Sequence, residues 1–373
     1  MIVKPISTQD HLHYIATQSS VSFLQTPAWG QTKISGWAFE SLGWFEADVL
    51  VGAGLVLYRK VPKLNRYLAY LPEGPDIAWT NSHAVDASLT ALVKYAKSKN
   101  VFQIKIGPHA WTQRWSNETI KDAIAQGSAK KLGDLPADWQ SESGISLTQQ
   151  LRSLGWKQPV SEESGFGDYQ PRYVFQLDLA NKTSENIFEG FNQLWRRNIR
   201  KSEKEGVTVR LGTRADLELF HTCYLETAQR DKFRPRSLAY FQTMWDVMKA
   251  EDSNRIQLFI AQHPDHQGAI AATTLTQVGD HAWYSYGAST TAARDLRPSN
   301  AVQWAMIQHS LAHGAKTYDM RGISDTLSAD NHLFGLIQFK LGTGGFAQEY
   351  VGEWDFNISP MLAKAFSIYM ARR

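Results

Sequence analysis

Five cations fall within nine residues of the stretch LWRRNIRKSEKEGV (194–207): Arg196, Arg197, Arg200, Lys201 and Lys204. Groups so spaced can follow a row of phosphates, which makes this a candidate strip for RNA or another polyanion. They can equally form a solvated face partly paired to Glu203 and Glu205, and the residues alone leave both readings open. Arg236 and Tyr240 are four apart and can share one helix face, reaching one anion together, with Arg230 and Arg234 as competing candidates nearby. Tyr284 and Tyr286 stand two apart on an apparent strand beside a possible cleft; Tyr286, next to Gly287, is preferred. Other arrangements point to little chemistry. His263, Asp265 and His266 sit in a hairpin-like HPDHQG, and His309 and His313 lack the Glu of an H-E-x-x-H helix. His11 and His13 have no evident partner, and Cys223 falls in an amphipathic helix as a core residue. There is no G-x-S-x-G and no Walker loop.

The elements that must carry these residues repeat. WFEADVLVGAGLVLY reads as strand, turn, strand; RYLAYLPEGPDIAW as a strand running to a Gly-Pro break; ASLTALVKYAKSKN as a helix; VFQIKIGP as a strand. The second half gives the same order in IQLFIAQHPDHQGAIAATTLTQ, HAWYSYGAS, SNAVQWAMIQHSLAHG and AKTYDMRGIS. Gly52 with Gly268, Gly74 with Gly287 and Ala91 with Ala305 keep a nearly constant separation. Two copies of one mixed α/β fold follow, each a β-meander, a helix and a strand. The expected division is 1–165 and 166–351, with 352–373 packing back on the first copy. Residues 112–150 read as loop apart from a helix at 145–154, and 161–172 as a linker. One amphipathic helix is predicted from a Thr183 or Ser184 cap to a Gly206 stop, with Ile187, Phe191, Leu194, Trp195 and Ile199 on its apolar face.

Composition narrows the class. A chain of 373 residues, 43% hydrophobic and 20% charged, is neither disordered nor a single average domain. One cysteine rules out an intramolecular disulfide and a cysteine-rich zinc site. A net charge of +3, from 39 Lys+Arg against 36 Asp+Glu, requires any basic surface to be local. No apolar stretch is long enough for a membrane span or a signal core, so a cytoplasmic location is expected. The C-terminal SPMLAKAFSIYMARR reads as a helix docked on the first domain, with peripheral contact to the inner membrane surface as the other reading.

Meander, broken strand and helix is the order of the N-acetyltransferase superfamily, where a Gly-rich loop and a helix start bind the pyrophosphate of acetyl-CoA. Here the equivalent loops, GPDIAWTNSHAVD and ASTTAARDLRPSNA, lack that glycine spacing and carry Pro75 and Pro298. CoA is therefore not the expected donor. The chain resembles the FemABX family, the aminoacyl-tRNA-dependent transferases that build peptidoglycan cross-bridges. The resemblance runs through SFLQTPAWGQTK (22–33), YLPEGP (70–75), LWRRNIRKSEKEGV (194–207), ETAQRDKFRPR (226–236), YSYGAS (284–289), YDMRGIS (318–324), FKLGTGG (339–345) and VGEWDF (351–356). It implies two tandem acetyltransferase-like domains. No heptad insertion is present, so the chain looks like the compact members without a coiled-coil arm.

The resemblance implies attack by a stem-peptide side-chain amine on the ester joining an amino acid to tRNA. The acceptor would be lipid II or UDP-MurNAc-pentapeptide, with no cofactor or metal, and the protein is expected to be a monomer. The site must hold two anionic substrates, deprotonate the amine and stabilise the oxyanion. By resemblance, Lys340 lies near the donor ester with Phe339 packed or stacked beside it, and Lys33 grips the precursor pyrophosphate together with Arg236 and Tyr240. Arg196, Arg197, Arg200 and Lys201 become the tRNA strip. Family members tend to carry a carboxylate near the strand end that reads KIGPHAW here; this chain has Gly107 and His109, with Asp76 earlier. His109 can serve as the base, or be an ordinary polar loop residue. A CoA-dependent N-acyltransferase and a non-catalytic RNA- or precursor-binding protein are the alternatives.

Overall fold

The computed structural model describes residues 1–159, 169–331 and 333–371. The expected linker and the division at 165 fall largely outside these residues, as do Arg372 and Arg373. The strands are β1 (Ile2–Pro5), β2 (Ala38–Glu46), β3 (Val49–Lys60), β4 (Tyr67–Leu71), β5 (Val101–Ile106), β6 (Trp111–Ser116), β7 (Trp139–Gln140), β8 (Tyr173–Asp178), β9 (Thr208–Leu211), β10 (Ile256–His263), β11 (His266–Val278), β12 (His281–Ser289), β13 (Thr317–Gly322), β14 (Phe346–Tyr350) and β15 (Trp354–Asn357). They form two mixed sheets, one ordered β1-β2-β3-β4-β5-β15 and the other β7-β6-β14-β8-β13-β12-β11-β10-β9.

The repeat is visible in both. An antiparallel meander β2–β3–β4 leads through the Ser82–Ser98 helix to β5, which lies parallel to β4. The meander β10–β11–β12 leads through the Pro298–Ala312 helix to β13, parallel to β12. A parallel neighbour requires a crossover, and a helix with an apolar stripe supplies it. In the first copy that stripe is Val85, Leu89, Leu92 and Ala96, all buried.

The two sheets exchange strands. Residues 112–150, expected as mostly loop, contain β6, the Asn117–Gln126 helix, β7 and the Glu142–Ser153 helix. The apolar residues in WTQRWS are few, but Trp115 is fully buried and β6 pairs with β14, far along the chain, so its strand character comes from a distant partner. β6 and β7 thus extend the second sheet, while β15 pairs with β5 of the first and the Pro360–Ala371 helix covers Phe102, Val61 and Leu68. The amphipathic segment also departs from the single predicted helix. Ser184–Gly190 stops at Phe191, and Asn192 caps a new helix, Gln193–Lys204, by accepting from Trp195 N at 2.8 Å. Its own N–H donates to Gly342 O at 2.9 Å. The break leaves Leu194 exposed rather than on the apolar face. Between the sheets lies one shared core, with Phe23, Leu24, Trp29, Leu55 and Tyr70 of the first half packed with Phe241, Trp245, Leu258 and Trp283 of the second.

Candidate active site

Lys33 ends the short Pro27–Thr32 helix, whose start is fixed by the Thr26 cap and Pro27. Its Nζ lies 4.1 Å from the Trp29 ring centroid and donates to the Tyr240 hydroxyl at 3.1 Å. Tyr240 stands in the first turn of the Leu238–Glu251 helix, capped by Ser237. Its hydroxyl is 3.0 Å from that of Tyr286. Arg236 precedes the cap, so it is not on the helix with Tyr240 as its spacing suggests, but its guanidinium sits 5.2 Å from the Tyr240 ring. Lys33, Arg236 and Tyr240 line a cavity of about 370 Å³ with Trp37, Arg59, Tyr70 and Gln170. Burial, and then Arg236, pull the Lys33 ammonium down to about 7. An anion entering here would relieve that cation–cation repulsion.

A second cavity, about 220 Å³, is lined by Arg230, Tyr284, Gly287, Ser289 and Phe339. Arg230 donates to Ser289 O at 2.7 Å and pairs with Asp231, which leaves Arg236 as the arginine beside Tyr240. The ladder between β11 and β12 slips at Thr274/Leu275, a bulge that places Tyr286 against Tyr240 and Tyr284 in the second cavity. Tyr284 is thus the one that lines a cavity, while Tyr286, preferred from sequence, packs behind Tyr240 against Phe241. Phe339 packs 4.8 Å from the Trp195 ring, and its carbonyl accepts from Trp195 Nε1 at 2.8 Å. Lys340 is almost fully buried. Its Nζ donates to Arg321 O at 3.1 Å and Gly322 O at 2.7 Å, because a buried ammonium must find oxygen partners. Burial pulls it down to about 7, with Asp319 opposing and Arg321 adding to the shift.

Between these groups lies a pair that sequence reasoning missed. Arg321 Nη1 is 2.9 Å from Glu73 Oε1, and Glu73 Oε2 accepts from Ser22 Oγ at 2.6 Å. Arg321 also donates to Gln170 Oε1 at 3.1 Å. Glu73 and Arg321 both have left-handed backbones, φ 50° and 63°, an unusual conformation for residues with side chains and one that concentrates at functional sites. The Arg321 N–H donates to Asp319 Oδ1 at 2.6 Å, which fixes that turn. Burial works against the Arg321 charge, but Glu73 and Asp319 hold its proton affinity above the ordinary value. The sequence signal was present in YLPEGP and YDMRGIS, though neither motif names its partner.

His109 lies where the chain crosses from the first sheet to the second. Its Nε2 is 3.0 Å from the Tyr350 hydroxyl and its ring stacks on Tyr350 at 4.9 Å. Burial pulls its imidazole down to about 4, which makes it a weak proton acceptor at neutral pH. Asp76 is engaged by the Tyr14 hydroxyl at 2.8 Å. On the Gln193–Lys204 helix, Trp195 and Ile199 face the core while Arg197 and Arg200 are exposed and Arg196 and Lys201 half-buried. Arg196 donates to Glu189 O, and Arg200 lies over Phe188 at 5.4 Å.

Neither of the two loops has the glycine spacing of an acetyl-CoA cradle, and part of their backbone is already engaged. Asp76 N and O pair with Ala53, and the amides of Thr290, Thr291, Arg294, Leu296 and Arg297 all donate within the protein. Backbone so engaged offers few donors to a pyrophosphate. Two tandem acetyltransferase-type folds with cation-lined cavities define the architecture of an acyltransferase.

Comparison with known proteins agrees. The FemAB family model matches residues 6–253 and 248–370, and the chain belongs to this family. It is an aminoacyltransferase. It is 25% identical over 420 residues to a protein named lipid II:glycine glycyltransferase from Staphylococcus haemolyticus, covering 96% of this chain and 93% of that one. A protein of the same name from Staphylococcus aureus strain MRSA252 is 23% identical over 422 residues, with the same coverage. Among solved structures, FemX superposes with a TM-score of 0.80 at 22% identity, covering 98% of this chain and 99% of that one. A tandem GNAT protein from the clavulanic acid biosynthesis pathway gives 0.53 at 10% identity, covering 96% and 98%. Both structures share the fold.

Proposed function

We propose that the protein transfers an amino acid from aminoacyl-tRNA to the side-chain amine of the stem peptide of a peptidoglycan precursor, either lipid II or UDP-MurNAc-pentapeptide. The observation that carries this reading is Lys33 bonded to Tyr240 with Arg236 beside them, in one cavity between the first sheet and the Leu238–Glu251 helix of the second half. It offers an anion two cations and a phenol at a fixed spacing, which suits a pyrophosphate. The lipid II named for the staphylococcal relatives supports a precursor as acceptor.

The donor end would lie toward Phe339 and Lys340, with Arg196, Arg197, Arg200 and Lys201 following the tRNA backbone. The amine nitrogen attacks the ester carbonyl carbon, the carbonyl oxygen becomes an oxyanion, and the bond to the ribose oxygen breaks. The proton lost by the amine ends on the ribose hydroxyl. Lys340, near 7, can stabilise the oxyanion as a cation or relay that proton as an amine. His109, near 4, is the weaker choice of base.

The test is transfer of a labelled amino acid from charged tRNA to purified precursor, read by mass spectrometry. Product is expected with intact tRNA and none after ribonuclease treatment. Product that survives ribonuclease would make the donor assignment wrong, and coenzyme A titration would then identify a CoA-dependent acyltransferase.

A further inference from the structure

The Pro360–Ala371 helix has two apolar faces. Ala363 and Phe366 bury against Val61, Leu68 and Phe102, which accounts for one. On the other, Met361 (86% exposed), Ala365 and Ile368 (47% exposed) recur at helical spacing, all three exposed. Beside this helix run the end of β3 and the turn to β4, RKVPKLNR (59–66), joined to it through Val61 and Leu68. The stretch holds Leu64, 47% exposed, with Lys63 and Arg66 in the turn, and Arg59 on the same sheet face as Leu68. Neither the turn nor the helix contains an Asp or Glu. Arg66 hydrogen-bonds to Asn65 O and Asn100 Oδ1, so its charge stays unneutralised.

The face continues to the rim of the Lys33 cavity. Trp37 packs against the Val61–Phe366 cluster and also lines that cavity. Arg59, 5.6 Å from the Trp37 ring, lines it too. Ile34, directly after Lys33, is 67% exposed.

We propose that this face docks on an anionic bilayer surface, with the Met361–Ala365–Ile368 stripe in the headgroup boundary and the 59–66 cations on the lipid phosphates. Weak apolar insertion and a polybasic patch are the two signals that together hold a protein reversibly at a membrane. An RNA backbone would use the cations but has no use for the apolar stripe. A second copy would cover the stripe but would bring an identical basic turn with it. Docking would bring the Lys33 cavity close to the headgroup layer. That consequence rests on the proposed acceptor, whereas the docking itself does not.

The test is sedimentation with phosphatidylglycerol–phosphatidylcholine vesicles and with phosphatidylcholine vesicles alone. Binding to the anionic vesicles only is expected, weakening as salt rises. Lys63→Gln with Arg66→Gln should lower partitioning by ~25-fold, about fivefold for each cation removed. Met361→Ser with Ile368→Ser, both exposed, should also release the protein, and neither pair should alter transfer to the soluble nucleotide precursor. The proposal is overturned by absent binding, by equal binding to both vesicles, or by vesicle binding that either pair leaves unchanged. It is also overturned if the serine pair dissolves a dimer, or if the glutamine pair loses tRNA but keeps vesicles. A wild type that binds vesicles but transfers nothing would instead refute the acceptor and donor reading.

Discussion

Lys340→Met is the substitution whose consequences the structure fixes most closely. The side chains are similar in length, so the change removes the ammonium and little volume. Arg321 O and Gly322 O lose the donor they share, at 3.1 and 2.7 Å. A buried acceptor left unpaired costs about 1–3 kcal/mol. Against that, the buried charge no longer needs desolvating. A lysine moved from 10.5 to about 7 records a penalty of roughly 5 kcal/mol against its cationic form. The two effects are of similar size, so the variant should fold with stability near the parent at pH 7.

The pH dependence has a definite sign. Below about 7 both folded and unfolded lysine carry the proton, and the penalty is fully present. Between about 7 and 10.5 the folded protein sheds the proton and the unfolded chain keeps it, so stability rises with pH across that window. Urea midpoints measured at pH 7 and pH 9 should rise in the parent and rise less in Lys340→Met, with Lys33, also near 7, supplying the remainder. In steady-state transfer, kcat should fall by ~100- to 1,000-fold, the usual loss for one oxyanion-stabilising group. KM for the precursor should change little, because Lys33 and its neighbours hold it. A folded variant with kcat within a few-fold of the parent would refute the reasoning and leave Lys340 as a brace for the Arg321 turn.

Lys33→Met should raise KM for the precursor by ~10- to 100-fold, the worth of one charge-assisted hydrogen bond, and an unchanged affinity across a salt series would remove Lys33 from the site. Glu73→Gln strips the partner from a buried guanidinium while keeping an acceptor, so stability should drop by about 3 kcal/mol by urea titration; an unshifted midpoint would show that Gln170 and Asp319 suffice. Arg197→Gln with Arg200→Gln should flatten the slope of log affinity for charged tRNA against log salt by roughly 0.7–0.9 for each phosphate no longer neutralised, and an unaltered slope would return these residues to a solvated face.

Local spacing made part of this legible. The repeat could be read because each meander keeps its glycines and apolar runs in register, and each crossover helix keeps its stripe. Tyr240 and Arg236 could be paired because they are neighbours in sequence, although Ser237 starts the helix between them. The Glu73–Arg321 pair could not be read, since 248 positions separate its members and its left-handed turns leave no trace in residue type. β6 was hidden for the same reason. WTQRWS is a strand only because β14 lies beside it. The break at Asn192 depends on Gly342 O, again a distant group.

The exchange of strands bears on how the cavities can work. The chain passes from the first sheet to the second at residues 107–110 and returns at 351–353. These two crossings are tied to each other, with Val351 N donating to Ala110 O at 2.9 Å and His109 bonded to Tyr350. Opening the sheets like a hinge would bend both crossings at their bonded midpoint. It would also expose Phe23, Trp29, Phe241 and Trp283, which are buried in the shared core. Such exposure costs about 1.5–3 kcal/mol per large side chain, too much for a routine step in a catalytic cycle. The Lys33 cavity, with one wall from the first sheet and another from the Leu238–Glu251 helix packed on the shared core, is therefore formed before substrate arrives. Binding energy then goes into aligning two bound anions rather than into closing the protein, and alignment is what an already activated ester requires.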